Sequence, residues 1–404
     1  MKALHILLIH QAFVDLDEAG GTRHAEFARA LAAAGHRVTV IASRVSYLTG
    51  KGGAKDAATA RGLTIIRAAT YRGLHRSFAH RLFSFFSFTV SSFFIGLRVK
   101  DVDVVWGTTP PIFQSATAWA LARLKRAPFL LEVRDLWPAF AVEVGVLRNR
   151  ALIRASEWLE RFLYRSADRI VVNSPGFVDH VEARGGRNIT VVPNGADAAM
   201  FAADGAAFRR QQGWQAKFVV LYAGAHGLSN DLGIVLQAAE LLKDEKQIHL
   251  ALIGDGKDKP ALQAQAAELH LDNLQFLPPS PKDKMPEVLA AADACLAILK
   301  PVKLYATVYP NKVFDYLAAG RPVLLAIDGV IRKVVEEAGA GIFVPPGDPA
   351  ALAQAIRAMA SQPGEARRMG ASGRVYLQQH FDRAALARQM QTVIEETAAQ
   401  PATL

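Results

Sequence analysis

The chain has almost no cysteine and no run that is typical of a targeting signal. Cys295 is the single cysteine among 404 residues, which excludes a disulfide within the chain. Because it lies in the apolar run ACLAIL, we expect a buried, unreactive thiol and not a nucleophile. The opening run MKALHILLIH is too short for a signal peptide, and no cleavage site follows it. We therefore expect a first β-strand here and a cytoplasmic protein.

Sequence signals for dinucleotide cofactors, zinc and nucleic acid are also missing. The sequence has no G-x-G-x-x-G fingerprint, no zinc-ligand spacing, no RNP-like aromatic pattern and no basic recognition helix. Its 47 basic and 37 acidic residues give a net charge of +10, which favours an anionic partner. We therefore expect a phosphorylated substrate or an acidic lipid surface, and no nucleic acid.

Composition and strand spacing predict an α/β protein. The chain is 51% hydrophobic and 21% charged, as globular proteins are, and its length suits two domains. Short apolar strands alternate with helices such as Thr22–Ala34 and Arg150–Arg165, which predicts parallel sheets covered on both faces. The strands predicted in the first half are Leu4–Ile9, Val38–Ala42, Leu63–Arg67, Val102–Trp106, Phe129–Val133, Ile170–Val172 and Thr190–Val192.

A second series of strands follows the turn-rich segment VPNGAD, which begins at Val192. Two tandem doubly wound domains are therefore predicted, one over residues 1–195 and one over 196–380. Such sheets bind ligands beyond the carboxyl ends of their strands, so we expect the substrates in a cleft between the domains. The strands predicted in the second domain are Phe218–Tyr222, His249–Ile253, Leu274–Leu277, Ala294–Leu299, Val323–Ala326 and Gly341–Val344.

The most informative stretch is YPNKVFDYLAAGRPVL, which begins at Tyr309. Pro310 suits the first position of a helix, and Gly320 fits the cap at its C-terminus. Lys312 lies in the first turn and Asp315 lies one turn later, in an otherwise apolar helix. A helix N-terminus attracts phosphate, and a carboxylate one turn away can hold a pair of sugar hydroxyls. The stretch therefore predicts a nucleotide-sugar site.

This stretch resembles the nucleotide-binding signature of family 4 glycosyltransferases, which have the GT-B fold of two Rossmann-like domains facing across a cleft. Two more stretches resemble the same family, HQAFVDLDEAGGTRHAE at His10–Glu26 and LEVRDLWP at Leu131–Pro138. The resemblance runs from Ile6 to about Leu377. Within the family, the chain is similar to the N-acetyl-fucosamine transferase-like enzymes of O-antigen and capsule assembly. The resemblance also implies a last helix, at 381–404, that returns to the first domain.

The resemblance implies roles for residues of the second domain. It assigns the ribose hydroxyls to Asp315, which stands where the family usually has glutamate. A further family glutamate is replaced here by Thr307, and the one after RDLWP by Ala139. The arginine and lysine that often neutralise the donor diphosphate are missing from the loop Tyr222–Leu232. The candidates for replacing them are Lys312, the helix start at Asn311, and Lys303.

Glycine-rich loops supply further candidates for donor binding. Glycine lets the backbone approach a ligand closely, and the loop before Thr22 opens a helix whose N-terminus favours an anion. Thr22 has an alternative role as a helix N-cap only, and His226 as an ordinary surface histidine. The predicted donor-binding residues are Gly20, Gly21, Thr22, Gly224, His226, Gly227, Gly254, Asn311, Lys312 and Asp315.

Arg134 and Asp135 follow an apolar strand, where charged side chains indicate a ligand-binding edge. Arg134 can bind a phosphate of donor or acceptor through its guanidinium, and Asp135 can orient it or touch the acceptor hydroxyl. The alternative is a purely structural Arg–Asp pair. Arg134, Asp135 and Lys312 are the predicted catalytic residues. The resemblance implies a retaining reaction without a cofactor or metal ion.

The segment Tyr71–Lys100 is rich in phenylalanine and is flanked by cations. Its uncharged part, Leu82–Leu97, is shorter than the ~20 apolar residues that a membrane-spanning helix needs. We expect a helix at about 74–98 that lies at the surface of an anionic membrane. The alternative is a buried crossover helix, and one helix can serve both roles. A membrane helix suits a polyprenyl-diphosphate-linked or other membrane acceptor, at the inner face of the bacterial plasma membrane.

These features together predict a hexosyltransferase-type enzyme that moves a sugar from a nucleoside-diphosphate sugar to a lipid-linked saccharide in O-antigen or capsule synthesis. UDP is the favoured nucleotide. Two alternatives stay open: a nucleotide-sugar 2-epimerase of the same fold, and a non-catalytic membrane scaffold on a transferase fold. Nucleotide release that depends on the acceptor separates the transferase from both.

Overall fold

The computed structural model describes residues 3–15, 21–45, 61–73 and 78–400 of the chain. The chain forms two compact units. The first unit combines Met1–Pro193 with Ala384–Leu404, and the second is Asn194–Arg383. The chain therefore passes from the first unit to the second and then returns.

The first unit is a parallel sheet flanked by helices. Its strands are β1 (His5–Ile9), β2 (Arg37–Ser43), β3 (Leu63–Ala68), β4 (Val104–Thr109), β5 (Phe129–Val133), β6 (Arg169–Val172) and β7 (Ile189–Val191). Its helices in the same stretch of chain are α1 (Arg23–Ala33), α2 (Phe78–Arg98), α3 (Ile112–Lys125), α4 (Ala139–Glu143), α5 (Arg150–Ser166) and α6 (Val178–Ala183).

The sheet of the first unit has the strand order β3-β2-β1-β4-β5-β6-β7, and every neighbouring pair is parallel. Ile6 of β1 lies opposite Val38 on one side and Val104 on the other. The strand order reverses between β1 and β4. Ligands of open α/β sheets bind at such a reversal, beyond the carboxyl ends of the strands. His10 follows β1, and Thr108 and Thr109 end β4, so this edge is rich in polar groups.

The second unit repeats this architecture with six strands. They are β8 (Phe218–Ala223), β9 (Ile248–Ile253), β10 (Leu274–Leu277), β11 (Ala294–Ile298), β12 (Val323–Ala326) and β13 (Gly341–Phe343). Its helices are α7 (Ala206–Gln211), α8 (Leu232–Leu241), α9 (Lys259–Glu268), α10 (Met285–Ala290), α11 (Asn311–Ala318), α12 (Val330–Glu337), α13 (Pro349–Ser361) and α14 (Pro363–His380).

The sheet of the second unit is also parallel, in the order β10-β9-β8-β11-β12-β13. Successive side chains of a strand point to opposite faces, and β8 buries both sets. Val219 and Leu221 belong to one hydrophobic core, and Val220 and Tyr222 to a second core on the other face. Burial on both faces explains why these strands are nearly continuous apolar runs. The order reverses between β8 and β11, which places the corresponding crevice after these two strands.

The last helix, α15 (Arg383–Ala398), lies in the first unit apart from its first residue. Its side chains Leu386, Met390 and Ile394 share a hydrophobic core with Phe27 and Leu31 of α1. The spacing of four residues places these three side chains on one face of the helix. The burial of that face holds the end of the chain on the first unit.

The predicted fold class of two doubly wound sheets is confirmed, and all thirteen predicted strands are present. One strand is misplaced, because Val102–Trp106 is observed as Val104–Thr109. The segment Gly107-Thr108-Thr109 has the small polar residues of a turn, but all three are buried and pair with β5. Cys295 is fully buried in β11, and burial raises the pKa of its thiol to about 12, as expected for an inert cysteine.

The start of α11 differs from the sequence prediction. Pro310 is not in the first turn of α11 but immediately precedes it, with an extended ψ of 126°. The predicted cap is correct, since Gly320 follows the helix with a φ of +63°. The helix predicted at about 74–98 is observed as Phe78–Arg98, and residues 74–77 lie outside the described part of the chain.

Candidate active site

The loops after β8 and β9 of the second unit meet backbone to backbone. A Cβ atom on Gly254 would lie 1.8 Å from the carbonyl oxygen of Gly224, so glycine is required for this contact. The amide of His226 donates to the carbonyl of Asp255 at 2.9 Å, and the amide of Asp258 donates to the carbonyl of His226 at 3.0 Å. These contacts fix the position of His226 beside the end of β8.

His226 is a fully buried histidine, so its interpretation as a surface residue is wrong. Neither of its ring nitrogens has a hydrogen-bond partner among the described residues. Burial, with a smaller effect from the charge of Lys259, lowers the pKa of the imidazole to about 4. The ring is therefore neutral at physiological pH and keeps one N–H donor and one acceptor for a ligand.

Lys312 carries a buried ammonium group that lacks a hydrogen-bond partner within the described chain. Its Nζ atom lies 3.9 Å from the ring centroid of Tyr222. A Cβ atom on Gly224 would lie 2.7 Å from the same Nζ atom. Burial lowers the pKa of Lys312 to about 7. The charge of Lys312 in turn lowers the pKa of His226, so the two groups face the same small region.

An unpartnered cation and an unpartnered imidazole are unfavourable when buried. Both lie at the carboxyl end of β8, beside the strand-order reversal and close to two glycine loops. Asn311, which begins α11, has a buried side-chain oxygen without a partner among the described residues. This combination of unsatisfied polar groups suits an anionic ligand with hydroxyl or phosphate oxygens.

Asp315 lies one turn after Lys312 on α11 and forms an ion pair with Lys282. The Nζ atom of Lys282 is 2.6 Å from Oδ1 of Asp315 and 5.0 Å from the ring centroid of Phe201. The sequence prediction gave Lys282 no role. Nothing in the charged run KDK, which begins at Lys282, distinguishes its buried lysine from the exposed Lys284.

Lys259 is a second cation that the sequence prediction missed. Its Nζ atom donates to the carbonyl oxygens of Gly254 at 2.7 Å and Leu277 at 2.9 Å. This lysine places positive charge beside the loop Tyr222–Leu232, which contains neither arginine nor lysine. The other candidate, Lys303, begins a short 3-10 helix and is exposed.

The first unit holds a buried polar cluster at the carboxyl ends of β1, β4 and β5. The Nδ1 atom of His10 lies 2.8 Å from Oγ1 of Thr108. Nη1 of Arg134 donates to Nε2 of His10 at 3.2 Å and to Nδ1 of His24 at 3.4 Å. The guanidinium of Arg134 therefore contacts two imidazoles. The alternative of a purely structural Arg–Asp pair does not account for these contacts.

Glu132 anchors this cluster from inside the sheet. It is fully buried, and its carboxylate accepts from Nε of Arg23 at 2.8 Å, Nε2 of His24 at 2.8 Å and Nε1 of Trp106 at 3.1 Å. Burial raises the pKa of Glu132, but its interactions with His24 and Arg23 outweigh this effect, and the net pKa is lowered. The carboxylate is thus ionised. Its signal in the sequence was an acid inside the apolar strand FLLEV.

Asp135 is half-buried beside Arg134. Burial raises the pKa of its carboxyl group to about 6, and the charge of Arg134 opposes the increase only in part. A carboxylate with a pKa near neutrality is a suitable proton acceptor or donor for an acceptor hydroxyl. This fits the predicted catalytic role of Asp135 but does not test it.

The loop before α1 is only partly within the described residues, since Gly20 lies outside them. Gly21 is exposed, and a Cβ atom added to it would meet nothing within 4 Å. Thr22 occupies the N-cap position without a side-chain bond to the backbone, and its hydroxyl donates to the carboxylate of Glu26. Their roles in donor binding stay predictions.

The structure brings the predicted residues together in two groups, each described within its own unit. In the second unit Lys312 and His226 meet beside Gly224 and Gly254, while Asp315 lies one turn further along α11. A Cβ atom on Gly227 would meet nothing within 4 Å. In the first unit the cluster contains Arg134, with Asp135 adjacent. Within the described residues, no group of three or more His, Cys, Asp or Glu side chains is placed to hold a metal ion.

Two domain families match the chain, and each match covers one of the two groups of predicted site residues. The glycosyl transferase 4-like domain matches residues 19–195, and the glycosyl transferases group 1 domain matches residues 217–362. The chain belongs to these glycosyltransferase families. The first match includes Arg134 and Asp135, and the second includes His226, Lys312 and Asp315. The family and the enzyme class predicted from the sequence are confirmed.

Relatives and solved structures agree with this assignment. The glycosyltransferase is 28% identical to the probable glycosyltransferase WbjE of Pseudomonas aeruginosa, over 72% of this chain and 73% of WbjE. It is 28% identical to the putative colanic acid biosynthesis glycosyl transferase WcaI of Escherichia coli K12, over 81% of this chain and 85% of WcaI. HepE of Anabaena, solved in complex with UDP-glucose, superposes with a TM-score of 0.75 at 18% identity, covering 97% of this chain and 100% of HepE. The fold is GT-B.

Proposed function

We propose that this glycosyltransferase moves a sugar, with retention, from a nucleoside-diphosphate sugar to a lipid-linked saccharide in bacterial surface polysaccharide synthesis. UDP is the proposed nucleotide, and no metal ion is proposed to take part. The name of WcaI, a putative colanic acid biosynthesis glycosyl transferase, supports a polysaccharide product, and the UDP-glucose complex of HepE supports the class of donor.

The observation that carries the proposal is the pair Lys312 and His226. A buried ammonium without a partner is costly, and a bound diphosphate supplies the opposite charge. The neutral imidazole of His226 adds one N–H donor to a second phosphate oxygen. Both groups lie beside Gly224, where the absence of a side chain leaves the room that the ammonium of Lys312 occupies.

Catalysis in this proposal is stabilisation of the leaving diphosphate. The glycosidic C–O bond to the phosphate breaks, and negative charge builds up on the phosphate oxygen that Lys312 and His226 face. The acceptor hydroxyl attacks from the same side of the sugar, and its proton passes to the leaving oxygen. Arg134 is proposed to bind a phosphate of donor or acceptor, and Asp135 to orient the acceptor hydroxyl. No covalent protein intermediate is required.

The membrane part of the proposal rests on α2. Exposed apolar side chains recur along one face of this helix, at a spacing of three and four residues, and they are Phe83, Phe86, Val90, Phe94 and Leu97. Phe88 on the opposite face is fully buried, so α2 serves as a crossover helix and also presents an apolar surface. Within the described residues, none of the helices combines the length and apolar character needed to cross a membrane. Contact at the inner membrane surface is therefore proposed, and not insertion.

Charge supports an anionic membrane as the partner of this surface. The sequences of α2 and of its neighbour α3 contain no aspartate or glutamate. Arg98 lies in the last turn of α2, and Nζ of Lys125, at the end of α3, donates to the carbonyl oxygen of Leu97 in α2. Cations beside an exposed aromatic face favour a surface of acidic lipid, to which each adds roughly 1 kcal/mol.

The first test of the proposal is nucleotide binding. We would titrate UDP, GDP, ADP and TDP into the purified protein by calorimetry, with and without EDTA. We expect one nucleotide to bind selectively, unaffected by EDTA, and expect its affinity to fall at least tenfold in Lys312→Met. Asp315→Ala should weaken the same binding while the circular dichroism spectrum stays unchanged. Lys333→Met, which removes an exposed lysine of α12, is the matched control.

The second test separates transfer from the two alternatives. Incubation with the donor sugar and a bacterial lipid extract should release the nucleoside diphosphate only when the extract is present, and should place the sugar in the lipid fraction. Epimerisation of the donor without an extract would favour the 2-epimerase. The absence of nucleotide binding by the wild-type protein would contradict the proposed donor site.

A further inference from the structure

We infer that Lys282 is a positioning residue for recognition of the donor's ribose, and that it acts through Asp315. This inference rests on the proposed nucleotide-sugar function. Lys282 belongs to the 3-10 turn Lys282–Lys284, which follows β10, and Asp315 belongs to α11. The ion pair between them therefore joins two elements that are distant in the sequence but share the nucleotide-binding edge of the second unit.

The geometry shows that Lys282 is built into this position. Its side chain is only 8% exposed, although lysine is among the residues that are least often buried. The Nζ atom lies 2.6 Å from Oδ1 of Asp315. The ammonium also lies over the ring of Phe201, at 5.0 Å from its centroid, which is a favourable cation–π distance. The side chain is thus held between an aromatic face and a carboxylate.

The position of Asp315 relative to Lys312 points to the ribose. Residues three apart on a helix lie on the same surface, about 5 Å from each other. When a diphosphate binds at the ammonium of Lys312, the neighbouring group of the nucleotide is its ribose. The carboxylate of Asp315 remains 17% exposed after its pairing with Lys282. It therefore keeps a surface that a ligand can reach.

Lys282 gives this carboxylate two properties that ribose recognition requires. The adjacent ammonium compensates the charge of the largely buried carboxylate, whose oxygens can accept hydrogen bonds from both the 2′ and the 3′ hydroxyl. The ammonium also fixes Oδ1, so that the carboxylate plane has one orientation. A nucleotide that lacks the 2′ hydroxyl loses one of these bonds. Lys282 should therefore increase the preference for ribonucleotides over deoxyribonucleotides.

The test compares the affinities for UDP and 2′-deoxy-UDP by calorimetry, with another base in both if the nucleotide survey selects one. Lys282→Met removes the charge at nearly constant length, and Lys282→Gln keeps a hydrogen-bond donor without the charge. Lys284→Met is the matched control, because Lys284 lies on the same turn with an exposed side chain. Thermal unfolding of each variant is measured alongside.

We expect the wild type and Lys284→Met to bind UDP at least tenfold more tightly than 2′-deoxy-UDP. In Lys282→Met the affinity for UDP should fall until the ratio approaches one, and Lys282→Gln should lie between. A lysine that only ties the loop to α11 would lower the melting temperature and leave the ratio unchanged, which would overturn the inference. If Lys282→Met does not fold, the ratio in Lys282→Gln decides. Failure of the wild type to bind any nucleotide refutes the proposed function instead.

Discussion

The ammonium of Lys312 lies 3.9 Å from the ring centroid of Tyr222 and has no hydrogen-bond partner in the described part of the chain. The aromatic ring replaces only part of the water that the ammonium loses, and burial lowers the pKa of Lys312 to about 7. Close to neutral pH, the folded protein thus carries positive charge on Lys312 that no hydrogen-bond partner among the described residues compensates. A bound diphosphate would restore the pKa of Lys312 towards its ordinary value.

The first prediction concerns the pH dependence of donor binding. Below about pH 7 the free protein already carries the ammonium, so the affinity for UDP-glucose should be constant. Above pH 7 binding must first protonate Lys312, so the affinity should fall by about tenfold for each pH unit. Calorimetry from pH 6 to 9 measures this, and two buffers of different ionisation enthalpy report the proton uptake. A flat profile in the wild type would contradict the assignment, whereas Lys312→Met should be flat.

The same pKa shift has a consequence for stability without ligand. Between about pH 7 and 10 the unfolded chain keeps a proton on Lys312 that the folded chain has lost. The free energy of unfolding should therefore rise with pH in the wild type relative to Lys312→Met. Thermal melts of both proteins at pH 6, 8 and 9.5 give the stability of the wild type minus that of the variant, and a value that stays constant or falls as the pH rises would show that the pKa of Lys312 is not lowered.

The second prediction concerns Glu132 and the tautomer of His24. A carboxylate accepts only, so Nε2 of His24 must carry the proton and Nδ1 must be the acceptor that faces Arg134. Glu132→Gln provides a single acceptor oxygen where three donors converge, and His24 should then lose its fixed tautomer. We expect transfer activity to fall at least tenfold while the nucleotide affinity stays within twofold. Nitrogen-15 chemical shifts of the His24 ring report the tautomer directly.

The control for this variant is Glu160→Gln. Glu160 is also fully buried in the first unit, and it accepts from Nε2 of His180 at 2.8 Å and Nε of Arg184 at 2.9 Å. Both substitutions should lower the melting temperature, because each leaves buried donors unpaired. Only Glu132→Gln should change the His24 shifts. Equal losses of activity in the two variants would mean that Glu132 acts through stability alone.

The third prediction uses two glycines of the second unit. A Cβ atom on Gly224 would lie 2.7 Å from Nζ of Lys312, whereas one on Gly233, in α8, would meet nothing within 4 Å. Gly224→Ala should therefore displace the ammonium and weaken nucleotide binding by about tenfold or more, which corresponds to about 1.4 kcal/mol. Gly233→Ala should bind within twofold of the wild type. Calorimetry with UDP decides, and equal affinities for the two variants would refute the role of Gly224.

The sequence predicted the fold well because the strands of buried parallel sheets are apolar runs that can be recognised from residue type alone. Leu274–Leu277 and Val323–Ala326 have the predicted boundaries, and the cap at Gly320 follows from its freedom to adopt positive φ. Lys312 and Asp315 were predicted because a cation and an acid stand out in an apolar helix. These features are local, so periodicity and residue type are enough to find them.

The sequence could not reveal the partners that come from distant segments. Lys282 and Asp315 are 33 residues apart, and His24 and Glu132 are 108 apart. No local pattern marks which lysine of KDK is buried, or that the imidazole of His226 is enclosed by Tyr222 and Phe276. These contacts depend on strand order and loop packing.

The fourth prediction tests the membrane surface on α2. Phe83 and Phe94 are 66% and 58% exposed on the same face of the helix, so replacing both by serine should cost little stability. The double variant Phe83→Ser/Phe94→Ser should bind vesicles of phosphatidylcholine and phosphatidylglycerol at least tenfold more weakly than the wild type, because burial of two aromatic side chains is lost. Val375→Ser, which removes a half-exposed apolar side chain of α14, is the control.

Changing the lipid composition of the vesicles distinguishes the electrostatic contribution to binding from the apolar contribution. Wild-type binding should weaken when phosphatidylglycerol is omitted or when salt is raised, since the screening length falls to about 3 Å at 1 M salt. The loss caused by the double variant should persist at high salt, because the apolar contribution is not screened. Co-sedimentation measures both. If the double variant and the wild type bind anionic vesicles equally, α2 does not face the membrane, and its exposed phenylalanines need another partner.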